Sequence, residues 1–166
     1  MLPGIVIKPL KRFYDERGSF TEIMRRDWPN VFGEEIVQAN MSISYPGMVR
    51  AWHRHERGQV DCFLAVKGAL KICVYDDDSA ELDEIVSTGE SPQVVKVPGQ
   101  YWHGFGVVGN EPAMLVYFVN RLYDYKEPDE ERRSWDDQTI VPKLINGKAG
   151  DTRNGKPWDW FCPPHK

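Results

Sequence analysis

Three of the chain's four histidines fall in two short clusters, Val49-Arg50-Ala51-Trp52-His53-Arg54-His55 and Val97-Pro98-Gly99-Gln100-Tyr101-Trp102-His103-Gly104-Phe105. Imidazole titrates near neutral pH and is also the commonest metal ligand, so two clusters meeting at one place either move a proton or hold a cation. On a strand, alternation sends His53 and His55 to the same face, beside Val49 and Ala51, and the small Ala51 leaves room for a ligand. Two imidazoles on an inward face are costly unless paired or wet, which favours a functional site.

The spacing also admits a metal. Gly47, His53, His55, Asp61 and Gly68 approximate the first motif of metal-binding cupins, which places its carboxylate slightly nearer, where this chain has Gln59 and Val60. With His103 added, the set His53, His55, Asp61 and His103 suits Zn, Fe, Mn or Ni with positions left open.

The elements that must position these groups are strands. Helical periodicity is nearly absent; short runs of Val, Ile, Tyr and Phe are broken by Gly, Pro and Asp. The pattern predicts strands over Ile5–Pro9, Gly18–Ile23, Val37–Tyr45, Val49–His55, Asp61–Lys67, Ala69–Asp76, Glu81–Val86, Gln93–Val97, Gly104–Val108 and Ala113–Asn120. So many short strands imply an all-β sandwich or jelly-roll barrel. The 166 residues suit a single domain over 1–166. One helical turn is expected within Asp124–Asp137. The irregular tail, 143–166, carries Trp158, Trp160 and Phe161, too much aromatic surface for solvent, and is expected to pack on the barrel or a partner subunit.

Bulk properties narrow the function. A net charge of −4 argues against nucleic-acid binding, although a few arginines can still serve a small anion. The scattered cysteines Cys62, Cys73 and Cys162 fit reduced thiols in a cytoplasmic protein better than a disulfide framework. The opening Met1-Leu2-Pro3-Gly4-Ile5 has no basic segment and no apolar stretch behind it, so no signal peptide is expected. No window is apolar enough to span a membrane.

Ordered motifs then resemble those of the cupin-fold nucleotide-sugar epimerases, the dTDP-4-dehydrorhamnose 3,5-epimerase type. Asp15-Glu16-Arg17-Gly18-Ser19-Phe20-Thr21-Glu22 resembles the family's D-x-R-G-x-F-x-E. Gln38-Ala39-Asn40-Met41-Ser42 resembles its Q-x-N-x-S, and Gly47-Met48-Val49-Arg50-Ala51-Trp52-His53 its G-V-x-R-G-L-H. Val97-Pro98 with His103-Gly104-Phe105 resembles its I-P-x-G-x-A-H-G-F. Tyr117, Tyr123, Pro128, Glu131 and Trp135-Asp136-Asp137 follow its closing pattern. The resemblance implies a cupin jelly roll and an isomerase without a cofactor. It would act on a nucleotide-diphosphate sugar bearing a 4-keto-6-deoxy ring, inverting C3, C5 or both. His53 would be the base that removes a proton α to the ketone, and Tyr117 the acid that returns one to the opposite face. Arg17, Glu22, Gln38, Asn40, Arg50, His55, Asp61, His103, Tyr123 and Glu131 would bind substrate. Arg17 would reach across a homodimer interface, and Tyr123 would stack on the base.

Three departures bear on the chemistry. Asp61 stands where the family has an enolate-stabilising lysine, His55 replaces a glutamine, and Ala51-Trp52 replaces Gly-Leu. A carboxylate at 61 repels an enolate unless something cationic matches it, and it raises the pKa of a neighbouring histidine. The aspartate that the family pairs with its base has possible counterparts in Asp151 and Asp159.

Overall fold

The computed structural model describes residues 1–28 and 35–161; Cys162 and the end of the tail lie outside this range. The strands in chain order are β1 (Val6–Pro9), β2 (Arg12–Asp15), β3 (Gly18–Thr21), β4 (Gln38–Ser44), β5 (Val49–Arg54), β6 (Val60–Lys67), β7 (Ala69–Asp76), β8 (Glu81–Thr88), β9 (Gln93–Pro98), β10 (Trp102–Val108), β11 (Ala113–Val119), β12 (Glu131–Arg132) and β13 (Leu144–Ile145). Each expected strand is present, with ends shifted by a few residues. The short β2, β12 and β13 carry too few residues to show a period. Among the described residues there is no helix, and hence none long and apolar enough to cross a membrane. The helical turn expected within Asp124–Asp137 does not form; Glu131 and Arg132 pair instead with Arg54 and His53 of β5.

Two sheets make the jelly roll. A five-stranded sheet runs β1-β9-β6-β11-β4, and a six-stranded sheet runs β12-β5-β10-β7-β8-β13. Their inner faces share one core, in which Phe63, Val95 and Leu115 of the first sheet meet Leu70, Ile72, Val74 and Phe105 of the second. β2 and β3 form a separate exposed hairpin.

The outer face of the six-stranded sheet is covered by the tail. Trp158 and Trp160 are buried with Trp52, Cys73, Tyr75 and Trp102, so the aromatic end packs on the barrel. Lys71, buried on that outer face, donates from Nζ to the Trp160 carbonyl, and the Trp160 indole N–H donates to the Trp135 carbonyl at 3.1 Å.

β5 breaks the simple alternation. His53 lies opposite His103 of β10, but Arg50 lies opposite Phe105, so three steps on β5 match two on β10. The extra residue is a bulge, and it reverses which face the following side chains take. Val49 therefore packs toward the outer tryptophan layer, not beside His53 as alternation predicts; Ala51 packs on that layer and also lines the cavity, as expected, and Arg50 and His53 both reach the cavity. The bulge depends on Gly104, where a Cβ would stand 2.3 Å from that of Ala51.

Candidate active site

A cavity of about 580 Å³ opens between the two sheets, within the range of small-ligand sites. Its two walls come from opposite sheets. β4 offers Gln38, Asn40 and Ser42 inward and leaves Ala39, Met41 and Ile43 exposed, the reverse of an ordinary half-buried strand. The register aligns Gln38, Val119 and Asp61 in one row across β4, β11 and β6, and Asn40, Tyr117 and Phe63 in the next. Across the cavity stand Arg50, His53 and His55 of the other sheet and its continuation.

His53 and Tyr117 thus line the same cavity from opposite sheets. The His53 ring packs edge-on to His103, centroids 4.2 Å apart. Burial, reinforced by the neighbouring imidazoles of His103 and His55, pushes the His53 pKa well below its ordinary value despite the pull of Asp61, so the ring is neutral at pH 7. The Tyr117 ring rests on Phe63, centroids 5.9 Å apart. Burial and the carboxylates of Asp61 and Glu130 raise its pKa, so the phenol keeps its proton. A neutral imidazole and an intact phenol are the forms that a base and an acid need.

Behind His53 lies a buried group of charges. Asp61 Oδ2 sits 3.3 Å from His55 Nε2 and 3.2 Å from His103 Nε2. Burial opposes ionisation of Asp61, but the two imidazoles outweigh it and hold the carboxyl below its ordinary range. Burial likewise depresses His55, yet the Asp61 carboxylate and the Asp129 carbonyl reverse this and raise it. The carboxylate that replaces the lysine is therefore matched by imidazoles rather than left facing the cavity alone. The Gln59 amide nitrogen lies 3.1 Å from both His55 Nε2 and Asp61 Oδ1. Gly99 lets this turn close: a Cβ there would lie 2.3 Å from the Gln59 carbonyl oxygen and 2.9 Å from His55 Cβ.

Of the other expected residues, Gln38, Asn40, Arg50 and Tyr123 line the cavity, whereas His103, fully buried, does not line it and packs against His53 instead. Gln38 ties the site together, its amide donating to Asn40 at 2.8 Å and its carbonyl accepting the Tyr123 N–H at 2.9 Å. Arg17, Glu22 and Glu131 do not reach this cavity. Arg17 is exposed on the β2–β3 turn and paired with Asp15, Glu22 pairs with Arg25, and Glu131 pairs with Arg54. Glu130, one residue earlier, lines the cavity in place of Glu131. Neither late aspartate lines it: Asp151 holds Arg153, and Asp159 accepts the Phe161 N–H. Sequence patterns missed Arg121, Tyr125, Glu130, Arg132 and Arg133, which sit in irregular segments or a two-residue strand, where no period marks a face.

Residues 13–131 match the family profile described as polysaccharide biosynthesis C-terminal domain. The chain is 41% identical over 137 residues to the probable low-salt glycan biosynthesis epimerase Agl13 of Haloferax volcanii, covering 80% of this chain and 87% of that one. Among solved structures, it resembles a dTDP sugar isomerase from Desulfovibrio desulfuricans, with TM-score 0.74, 23% identity and coverage of 84% and 89%. It also resembles a dTDP-6-deoxy-D-glucose-3,5-epimerase from Legionella pneumophila, solved with dTDP-4-keto-L-rhamnose, with TM-score 0.72, 20% identity and coverage of 88% and 85%. At such identities the structural likeness speaks to fold.

Proposed function

This chain belongs to the polysaccharide biosynthesis C-terminal domain family, and from that premise we propose that it is an epimerase of a nucleotide-linked 4-keto-6-deoxy sugar. The observation that carries the reading is the pair His53 and Tyr117, on opposite sheets of one cavity and in complementary protonation states. His53 removes the proton α to the ketone, giving an enolate. Tyr117 then protonates the same carbon from the other face, which inverts it. The amides of Gln38 and Asn40 are donors within the cavity for the sugar and its developing charge, and the guanidinium of Arg50 suits the diphosphate. The Agl13 likeness supports an epimerase, and the dTDP-sugar complex of the Legionella enzyme supports a nucleotide sugar as substrate.

The chain acts in this reading as one unit in the cytoplasm and as a homodimer. Arg17 supports the dimer because it stands outside its own chain's cavity, and the exposed Met41 and Ile43 on β4 support it as apolar surface. The direct test is solvent exchange in D2O with dTDP- and UDP-linked 4-keto-6-deoxy sugars. Wild type washes deuterium into C3 or C5; His53→Ala lowers the rate by about 10²–10⁴-fold. Tyr117→Phe keeps exchange but loses inversion. No exchange with any of these sugars removes the reading.

A second reading is favoured by a specific observation. His55 Nδ1 contacts the Asp129 carbonyl and His103 Nδ1 lies 2.8 Å from the Tyr101 carbonyl. A carbonyl only accepts, so each Nδ1 carries the proton, and each Nε2 is directed at the same Asp61 oxygen. Although that oxygen and His103 Nε2 are 3.2 Å apart, neither makes an aligned hydrogen bond. Ligand atoms of His53, His55 and His103 lie within 4.8 Å of one another. Backbone-fixed imidazoles converging beside a carboxylate suit a divalent cation such as Zn²⁺. Elemental analysis of the purified chain tests this: close to one metal per chain supports it, and under about a tenth rules out a tightly held ion.

A further inference from the structure

Four arginines line the cavity: Arg50, Arg121, Arg132 and Arg133. Two are already neutralised. Arg133 makes a two-pronged pair with Asp77 at 3.0 and 2.6 Å, and Arg132 pairs with Glu130 at 2.8 Å. The other two make no ion pair among the described residues. Arg50 is steadied by a neutral group, its Nε donating to Ser44 Oγ at 3.1 Å.

Arg121 is nonetheless held in place. Its neighbour Asn120 accepts the Val60 N–H at 2.7 Å and donates to the Gly58 carbonyl at 3.3 Å, which fixes the end of β11 to the turn before β6. The guanidinium then lies over Gly58, with Nη2 3.7 Å from the position of a Cβ there. Further along the chain, Tyr123 and Tyr125 line the same cavity edge-to-face, with ring centroids 5.1 Å apart. The Tyr125 side of this pair is open to solvent.

Building on the epimerase reading, we propose that Arg121 is a diphosphate-binding residue, acting with Arg50, and that Tyr125 joins Tyr123 as the nucleobase platform. Two guanidiniums that no carboxylate pairs among the described residues fit a dianion, and the planar fork of arginine suits phosphate oxygens in particular. An aromatic pair lining the same cavity takes a base without reading its identity. The order along the cavity is then sugar at His53 and Tyr117, diphosphate at Arg50 and Arg121, base at Tyr123 and Tyr125.

Calorimetry with UDP, dTDP, GDP and CDP, each against its monophosphate, tests this on the intact chain. Wild type binds at least one diphosphate about tenfold more tightly than the monophosphate, the value of one charge-assisted contact. In Arg121→Gln that preference collapses, and Arg121→Lys restores part of it because the charge returns without the fork. Tyr125→Ala weakens mono- and diphosphate alike. A wild-type preference that survives unchanged in Arg121→Gln overturns the inference while leaving the epimerase reading intact. Failure of wild type to bind any of the four diphosphates overturns the nucleotide-sugar reading itself.

Discussion

A carboxylate buried between two imidazoles has a characteristic pH signature. Asp61 is ionised below its ordinary range, so its contribution to stability is complete above about the ordinary value of 3.8 and is lost as pH falls through the depressed value. His55 is raised, so its contribution is complete below its ordinary 6.5 and is lost as pH rises through the raised value. Both are present together between those two ordinary values. Denaturant unfolding of wild type and Asp61→Asn with chelator present should therefore differ most in that window, by about 2 kcal/mol, and converge on either side. A difference that does not vary with pH would mean that Asp61 is not ionised. For catalysis, the acid limb of kcat/KM lies below 6.5, because His53 must be neutral and its pKa is lowered.

At the scale of the element, β5 decides which side chains meet. Its bulge lets Arg50 and His53 share the cavity, although simple alternation puts them on opposite faces. Gly104 makes the bulge possible, since a Cβ would overlap Ala51 and lie 2.7 Å from the Arg50 carbonyl oxygen. Gly104→Ala is expected to cost about 1–3 kcal/mol in thermal or denaturant unfolding. It should also lower deuterium exchange more than KM, because it displaces His53. An alanine variant with wild-type stability and exchange would mean that the strands separate freely here. The G of the family's H-G-F is thus a packing requirement in this chain.

At the scale of the molecule, the two sheets bring His53 and Tyr117 to one cavity and the tail covers the outside. Trp52 joins these layers: it lines the cavity and packs on Trp160, with ring centroids 4.9 Å apart. The hairpin bearing Arg17 stands apart from the chain's own cavity. If the homodimer supplies Arg17 to a neighbour's site, sedimentation gives the mass of two chains, and Arg17→Ala raises KM while leaving that mass unchanged. Sedimentation as a single chain would remove Arg17 from the site.

The strand pattern, the ordered motifs and the two histidine clusters were legible from residue types alone, because alternation and turn residues are local properties. His53 was marked by its cluster, whereas Tyr117, Gln38 and Asn40 were marked through the resemblance to the epimerase motifs, and the regular strands β4 and β11 carry those three to the cavity. The face taken by Arg50 was not legible, because a single bulged residue reverses parity and depends on contact with another strand. Nor was the pairing of Asp61 with His55 and His103, or the lining role of Arg121, Tyr125 and Glu130. Those follow from sheets closing on each other and from irregular segments pinned by distant hydrogen bonds, which only the folded chain brings within reach.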